Sequence, residues 1–178
     1  MTGTQLITLE QLLEARELRV AHQKELIEKY RLPLVSFTVN MPGESKKTPD
    51  SSIIFRAGCN ALVKKLKETI CGLEYYDSRN PDTGFEAFFV VKTAERSLKA
   101  LMLEIENEHP LGRLFDLDVI GVDGKPISRE TLGNLKRKCL LCEQDAYICA
   151  RNREHTVETL IEKIHSMVDS YIKNYTLS

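Results

Sequence analysis

Two carboxylates stand one residue apart in the stretch GRLFDLDVIG, residues 112–121: Asp116 and Asp118, with Leu117, Val119 and Ile120 beside them. In a strand, alternate side chains share a face. The two acids therefore share one face, and Leu117 and Val119 share the other. Two ionised carboxylates this close repel each other and resist desolvation unless a cation lies between them. A hard divalent cation is the usual partner of such an oxygen pair. A strand-borne Asp-x-Asp can hold one or two Mg²⁺ ions, which bridge phosphate oxygens and draw charge away during phosphoryl or nucleotidyl transfer. The competing reading is a solvated strand face. The apolar neighbours weigh against it, although so short a motif also arises by chance.

A third oxygen ligand would complete such a site. Glu86 is the sole charge in FEAFFVV and is a candidate, unless it marks the exposed end of that strand. Phosphates also need cations and backbone donors. The loop NMPGESKKTP supplies a glycine and Lys46, and a glycine lets backbone N–H groups approach an anion. Arg16, Arg19 and Gln23 fall on the otherwise apolar stripe of an N-terminal helix. A guanidinium placed there needs an anionic partner, either a structural carboxylate or a bound phosphate. Arg113, just ahead of the Asp pair, can play the same part.

A second constellation reads CLLCEQDAYICARNREH. Cys139 and Cys142 stand in C-x-x-C, with Cys149 and His155 downstream. One turn offering two thiolates suits a tetrahedral Zn²⁺, and Cys₃His is a reasonable structural set. The alternative is small reduced cysteines packed as hydrophobes. The chain has no P-loop, no G-x-G-x-x-G and no local Ser-His-Asp signature, and His22, His109 and His165 are isolated.

The elements that must position these residues follow from periodicity. Thr8 caps a helix running to Arg31, with Leu9, Leu12, Leu13, Val20, Ile27 and Tyr30 as its apolar stripe. Residues 32–41 form a strand, and residues 52–70 a helix. Residues 74–92 form two strands about an NPDTG turn, and residues 93–109 a helix with Ala94, Leu98, Leu101, Met102 and Ile105 inward. The Asp-pair strand continues through a hairpin-type turn at Asp123-Gly124, and Ser128 caps a short helix. The cysteine-bearing segment at 139–155 precedes a terminal amphipathic helix at about 156–174. Helices interleaved with hairpin signals predict a single α+β domain over residues 1–178. Its sheet is mixed or mainly antiparallel and packed by helices, and a nucleotidyltransferase-like domain is one form of this class.

Composition narrows the classes. The chain has 178 residues, 42% hydrophobic and 29% charged, with a formal net charge of -1. That is a globular balance without the global basicity of a nucleic-acid binder. No apolar run reaches the roughly 20 residues a membrane span needs. The start lacks the features of a secretory signal, so the expected compartment is the cytoplasm, where five cysteines stay reduced.

The stretches LPLVSFTVNMPG with Lys46, GFEAFFVV, HPLGRLFDLDVIG and KRKCLLCEQDAYICARNREH resemble the citrate lyase holo-acyl-carrier-protein synthases. These are also called apo-citrate lyase phosphoribosyl-dephospho-CoA transferases. The likeness runs from the ARELRVAHQ helix to the terminal helix. It implies attachment of a CoA-derived group to a serine of the citrate lyase acyl carrier protein. The implied donor is 2′-(5″-triphosphoribosyl)-3′-dephospho-CoA, and diphosphate leaves. It makes Asp116 and Asp118 ligands of Mg²⁺, and one of them, or Glu86, an acceptor of the serine proton. Arg16, Arg19, Lys46 and Arg113 become phosphate-binding candidates. The run Lys136-Arg137-Lys138, with Arg151 and Arg153, becomes either a docking surface for an acidic carrier or a solvated face. Many nucleotidyltransferases place a Gly-Ser turn before the Asp pair. This chain has no Gly-Ser dipeptide, which leaves MPGESK as the expected phosphate loop. Two other readings stand beside this one: a zinc-bearing interaction module, and a relative serving another carrier, such as that of malonate decarboxylase.

Overall fold

The computed structural model describes residues 7–69 and 71–175. Helix α1 (Leu9–Tyr30) leads into strand β1 (Leu34–Val39). Helix α2 (Pro49–Glu68) and the hairpin of β2 (Gly72–Arg79) and β3 (Glu86–Lys92) follow. Helix α3 (Glu95–Glu108), β4 (Phe115–Ile120), the short α4 (Ala146–Asn152) and α5 (Val157–Tyr175) complete the chain, with 3₁₀ turns at 112–114 and 129–132. The four strands lie in the order β2-β3-β1-β4, every neighbouring pair antiparallel. The expected α+β class holds, and the sheet is wholly antiparallel. Among the described residues no helix is long and apolar enough to cross a membrane.

Period-two alternation divides the sheet. Val35, Phe37, Ala87, Phe89, Val91, Phe115, Leu117 and Val119 join residues of α2, α3 and α5 in the main core. The opposite face lies under α1, where Leu34, Phe88, Val90 and Ile120 pack with Leu26 and Ile27. β3 has both faces covered, and it reads as a continuous apolar run for that reason.

Two sequence expectations change here. Helix α1 buries only Leu26 and Ile27, while Leu9, Leu13 and Val20 are exposed. Its inward face at the N-terminal end carries polar residues, because the sheet beneath is polar there. Helix α2 begins at Pro49 rather than residue 52: Thr48 caps it with Ser51, and Pro49 occupies the first turn, where its missing N–H costs nothing. Ile70, the expected last residue of that helix, lies outside the described residues.

The Asp-pair strand also ends sooner than its sequence suggests. The Asp123-Gly124 turn forms, with Gly124 at φ 77°, but the returning chain makes a single bridge, Ile120 to Pro126. Proline lacks the N–H a second ladder needs. β4 is consequently an edge strand, and its open side is closed by other means. Glu106 of α3 accepts from Leu117 N at 3.3 Å, Lys99 Nζ donates to Leu117 O at 3.1 Å, and Ile127 N donates to Val119 O at 2.8 Å. Gly112 lets α3 and β4 lie this close. A Cβ there would meet Glu106 O at 2.4 Å.

Candidate active site

The α1-facing side of the sheet is apolar at one end and polar at the other. Strand register places Thr38 between Glu86 and Asp116, and Ser36 between Phe88 and Asp118. Helix α1 lays Arg19 and Gln23, four residues apart and so on one face, across this row. Arg19 Nε and Nη2 reach Glu86 Oε1 at 2.8 and 2.7 Å, and Gln23 Nε2 donates to Ser36 Oγ at 2.9 Å. Arg19 thus meets a structural carboxylate. Glu86 is buried, held by that guanidinium, and two strands away from the Asp pair. It forms no three-acid cluster with Asp116 and Asp118 among the described residues.

Asp116 and Asp118 do point to one face, and the charge of Asp116 bears on Asp118. The carboxyl of Asp118 is pushed up to about 6, first by the protein crowding around it and then by the charge of Asp116, against the pull of Lys99 and Arg137. Its own surface still meets water. Its neighbours are a balanced group of charges. Arg137 Nη1 lies 3.8 Å from Asp116 Oδ1 and Nη2 lies 2.9 Å from Glu106 Oε1. Arg129 Nη2 meets Glu106 Oε2 at 2.5 Å. Lys99 is buried, and desolvation lowers its pKa despite the nearby charges of Glu106 and Asp118.

Lys99, Glu106 and Arg129 were absent from the sequence reading. The available signal was two opposite charges seven residues apart on the apolar stripe of α3. Arg137, read as either a docking surface or a solvated face, turns inward to the carboxylates.

A cleft of about 290 Å³ opens beside Asp116, lined by Arg16, Arg19, Thr38, Lys46 and Thr83 among others. Lys46 Nζ donates to Met41 O at 2.5 Å, and partial burial lowers its pKa. Thr83 Oγ1 is buried without a hydrogen-bond partner. Four of the expected residues, Arg16, Arg19, Lys46 and Asp116, therefore meet around one space. Arg113 does not. Its Nη2 donates to Lys138 O at 2.7 Å and Cys139 O at 2.9 Å, bracing the cysteine segment.

That segment folds into a compact knot. Cys139 N donates to Gln144 O at 2.8 Å, Ala146 N to Arg137 O at 2.8 Å, and Asp145 caps α4. The ligand atoms of Cys139, Cys142, Cys149 and His155 lie within 4.8 Å of one another. His155 Nε2 is buried with no hydrogen-bond partner, and Cys142 Sγ stands 4.0 Å from Cys149 Sγ. Burial raises the Cys139 thiol, but hydrogen bonds from the Leu141 and Cys142 backbone and from the other two thiols outweigh it and bring it down to about 7. Burial pushes Cys149 up to about 12. Three sulfurs with uneven acidity and an orphaned imidazole nitrogen make a donor set that fits a tetrahedral ion.

Asp116 facing two arginines and a lysine across a cleft, with Asp118 next along the same strand face, suits the handling of phosphate esters: cations offset phosphate charge, and an acid pair can hold a divalent ion. The fold and site thus define an α+β domain equipped for phosphate chemistry. More particularly, the chain belongs to the apo-citrate lyase phosphoribosyl-dephospho-CoA transferase family, whose model matches residues 7–171. A probable apo-citrate lyase phosphoribosyl-dephospho-CoA transferase of Vibrio cholerae serotype O1 is 47% identical over 166 residues, 93% of each chain. The Citrobacter koseri protein of that name, without the qualifier, is 34% identical over 162 residues, 91% of this chain and 88% of its own. Protein CitXG of Haemophilus influenzae is 36% identical over 173 residues, 93% of this chain but 36% of that longer protein.

Proposed function

We propose that this chain transfers the 2′-(5″-phosphoribosyl)-3′-dephospho-CoA group from its triphosphate precursor to a serine of the apo citrate lyase acyl carrier protein, releasing diphosphate. The observation that carries this reading is Asp116 on the wall of the cleft lined by Arg16, Arg19 and Lys46, with Asp118 next to it on the same strand face. The reaction is an in-line displacement at phosphorus. The serine oxygen bonds to the phosphorus attached to the ribose, the bond to the diphosphate oxygen breaks, and the serine proton is lost. Such chemistry needs positioning and charge neutralisation more than a covalent protein nucleophile.

Asp116 and Asp118 would hold Mg²⁺, which supplies charge neutralisation at the phosphates when bound. The residues present fit that ion: two carboxylates on one face, with Asp118 disfavoured in its charged form by burial and by the charge of Asp116. Arg16 and Lys46 bind the departing diphosphate. Arg19 adds charge to the same cleft and is oriented by Glu86, which leaves Glu86 as a positioning residue rather than a proton acceptor. Cys139, Cys142, Cys149 and His155 hold a structural Zn²⁺. The protein works in the cytoplasm, where its cysteines stay reduced.

Steady-state kinetics with apo carrier and donor test the cleft assignment. Lys46→Ala is expected to raise the donor KM at least tenfold, the order of one lost charge-assisted contact, while leaving the carrier KM unchanged. Unchanged donor KM removes Lys46 from the site.

A further inference from the structure

A second, larger cavity lies beside the phosphate cleft. It holds about 770 Å³ between the loop after β1, the 3₁₀ turn at 112–114, the Cys-His segment and α5, a volume typical of small-molecule sites. Its walls include Leu114, Leu140, Leu160 and Ile164, and cationic side chains stand on its lining, among them Lys138 and Arg153. Arg153 is exposed and pairs with no carboxylate among the described residues, while Lys138 pairs with the exposed Glu143. Two features join this cavity to the phosphate cleft. Asn40 lines both. Arg137 lines the larger one and places its Nη1 3.8 Å from Asp116 Oδ1. A single elongated molecule can therefore cross from one space to the other over Asn40.

We propose that this cavity binds the dephospho-CoA portion of the donor, with the adenine and pantetheine chain against the apolar walls and the internal diphosphate at Arg153 and Lys138. The assignment rests on the transferase reading. Donor chemistry supplies the match: one end is a polyphosphate, the other a long, largely apolar arm interrupted by two phosphates. The two spaces present the same sequence of requirements. A cationic cleft holds the polyphosphate beside the acid pair, and an apolar cavity with cations receives the arm. Cys139, Cys149 and His155 also line the cavity, so the metal-ligating cluster doubles as part of its wall.

The probe is dephospho-CoA itself, which lacks the triphosphoribosyl group and cannot react. Calorimetry and backbone NMR titration of the full chain are expected to show binding with shifts concentrated in residues 137–164. Arg153→Ala is expected to weaken that binding at least tenfold, and Leu160→Trp, which fills the cavity, to abolish it. Asp116→Asn leaves it unchanged. In turnover assays both cavity variants raise the donor KM and leave the carrier KM alone. Binding that neither cavity variant alters, or shifts confined to the α1 side of the sheet, overturns the proposal. The transferase reading fails separately, through absence of transfer. Saturable dephospho-CoA binding lost in Leu160→Trp would still place that ligand in the cavity, because this readout needs no turnover.

Discussion

At the scale of single residues, the site is held in an unfavourable state until it is occupied. Asp118 has an ordinary value of 3.8 and is raised to about 6 by burial and by Asp116. A carboxyl whose folded pKa lies above its unfolded one destabilises the fold as pH rises from the lower value to the higher, and the penalty is complete above it. In metal-free protein Asp118→Asn is therefore expected to melt higher than the parent at pH 7.5. After discounting for the water that reaches this side chain, the gain is about 1 kcal/mol, or about 2–4 °C. The gap closes near pH 4, where the parent carboxyl is protonated, and narrows when Mg²⁺ is added. A lower melting temperature for Asp118→Asn under metal-free conditions contradicts this electrostatic account. The Asp pair was legible because strand alternation is local: Asp-x-Asp must share a face. Glu86 was legible as a charge in a strand, either a ligand or the strand's exposed end, but not as a buried partner of Arg19, which is 67 positions distant. Only packing brings them together.

At the scale of elements, β4 is an edge strand stabilised by side chains instead of a fifth strand. Lys99 and Glu106 serve the backbone of Leu117, and Glu106 also gathers Arg129 and Arg137 beside the acids. None of this could be read from a hairpin signal, because Asp123-Gly124 reports only the turn and not whether the returning chain pairs. Helix α1 shows the same limit. Its leucines have helical spacing, but half of that stripe faces solvent, and the inward face is set by the polar end of the sheet. The cysteine segment was the opposite case. C-x-x-C gave the turn, while the approach of Cys149 and His155 depends on α4 and the bridge of Lys138 to Asp145. Elemental analysis of the purified chain is expected to give about one zinc per molecule. Cys149→Ser or a strong chelator should lower the melting temperature and expose the amides of residues 137–156 to hydrogen exchange. A chain free of zinc and indifferent to chelation assigns those cysteines to packing instead.

At the scale of the whole molecule, α5 closes the main core against α2. Ile164 and Val168 are buried there, and His165 sits at the surface beside them. His165 Nδ1 lies 3.0 Å from Asp50 Oδ2, and Nε2 lies 3.7 Å from Asp169 Oδ2. Asp50 raises the His165 pKa above its ordinary 6.5, with Asp169 adding to the effect. The contribution to stability is full below pH 6.5 and is lost as pH rises through the raised value. Melting curves should show the parent's advantage over His165→Gln to be larger at pH 6 than at pH 9. An advantage independent of pH would deny the ion pair a role. The same assembly sets the Arg16–Lys46 cleft, the acid pair and the apolar cavity around one end of the sheet, and the proposed function requires them to act on a single donor. Intact mass of the apo acyl carrier protein, after incubation with this protein, the triphosphoribosyl donor and Mg²⁺, tests that most directly. The account predicts a mass gain equal to the phosphoribosyl-dephospho-CoA group with the parent protein, and none with a folded Asp116→Asn variant. An unmodified carrier with the parent, or equal modification by both proteins, contradicts it.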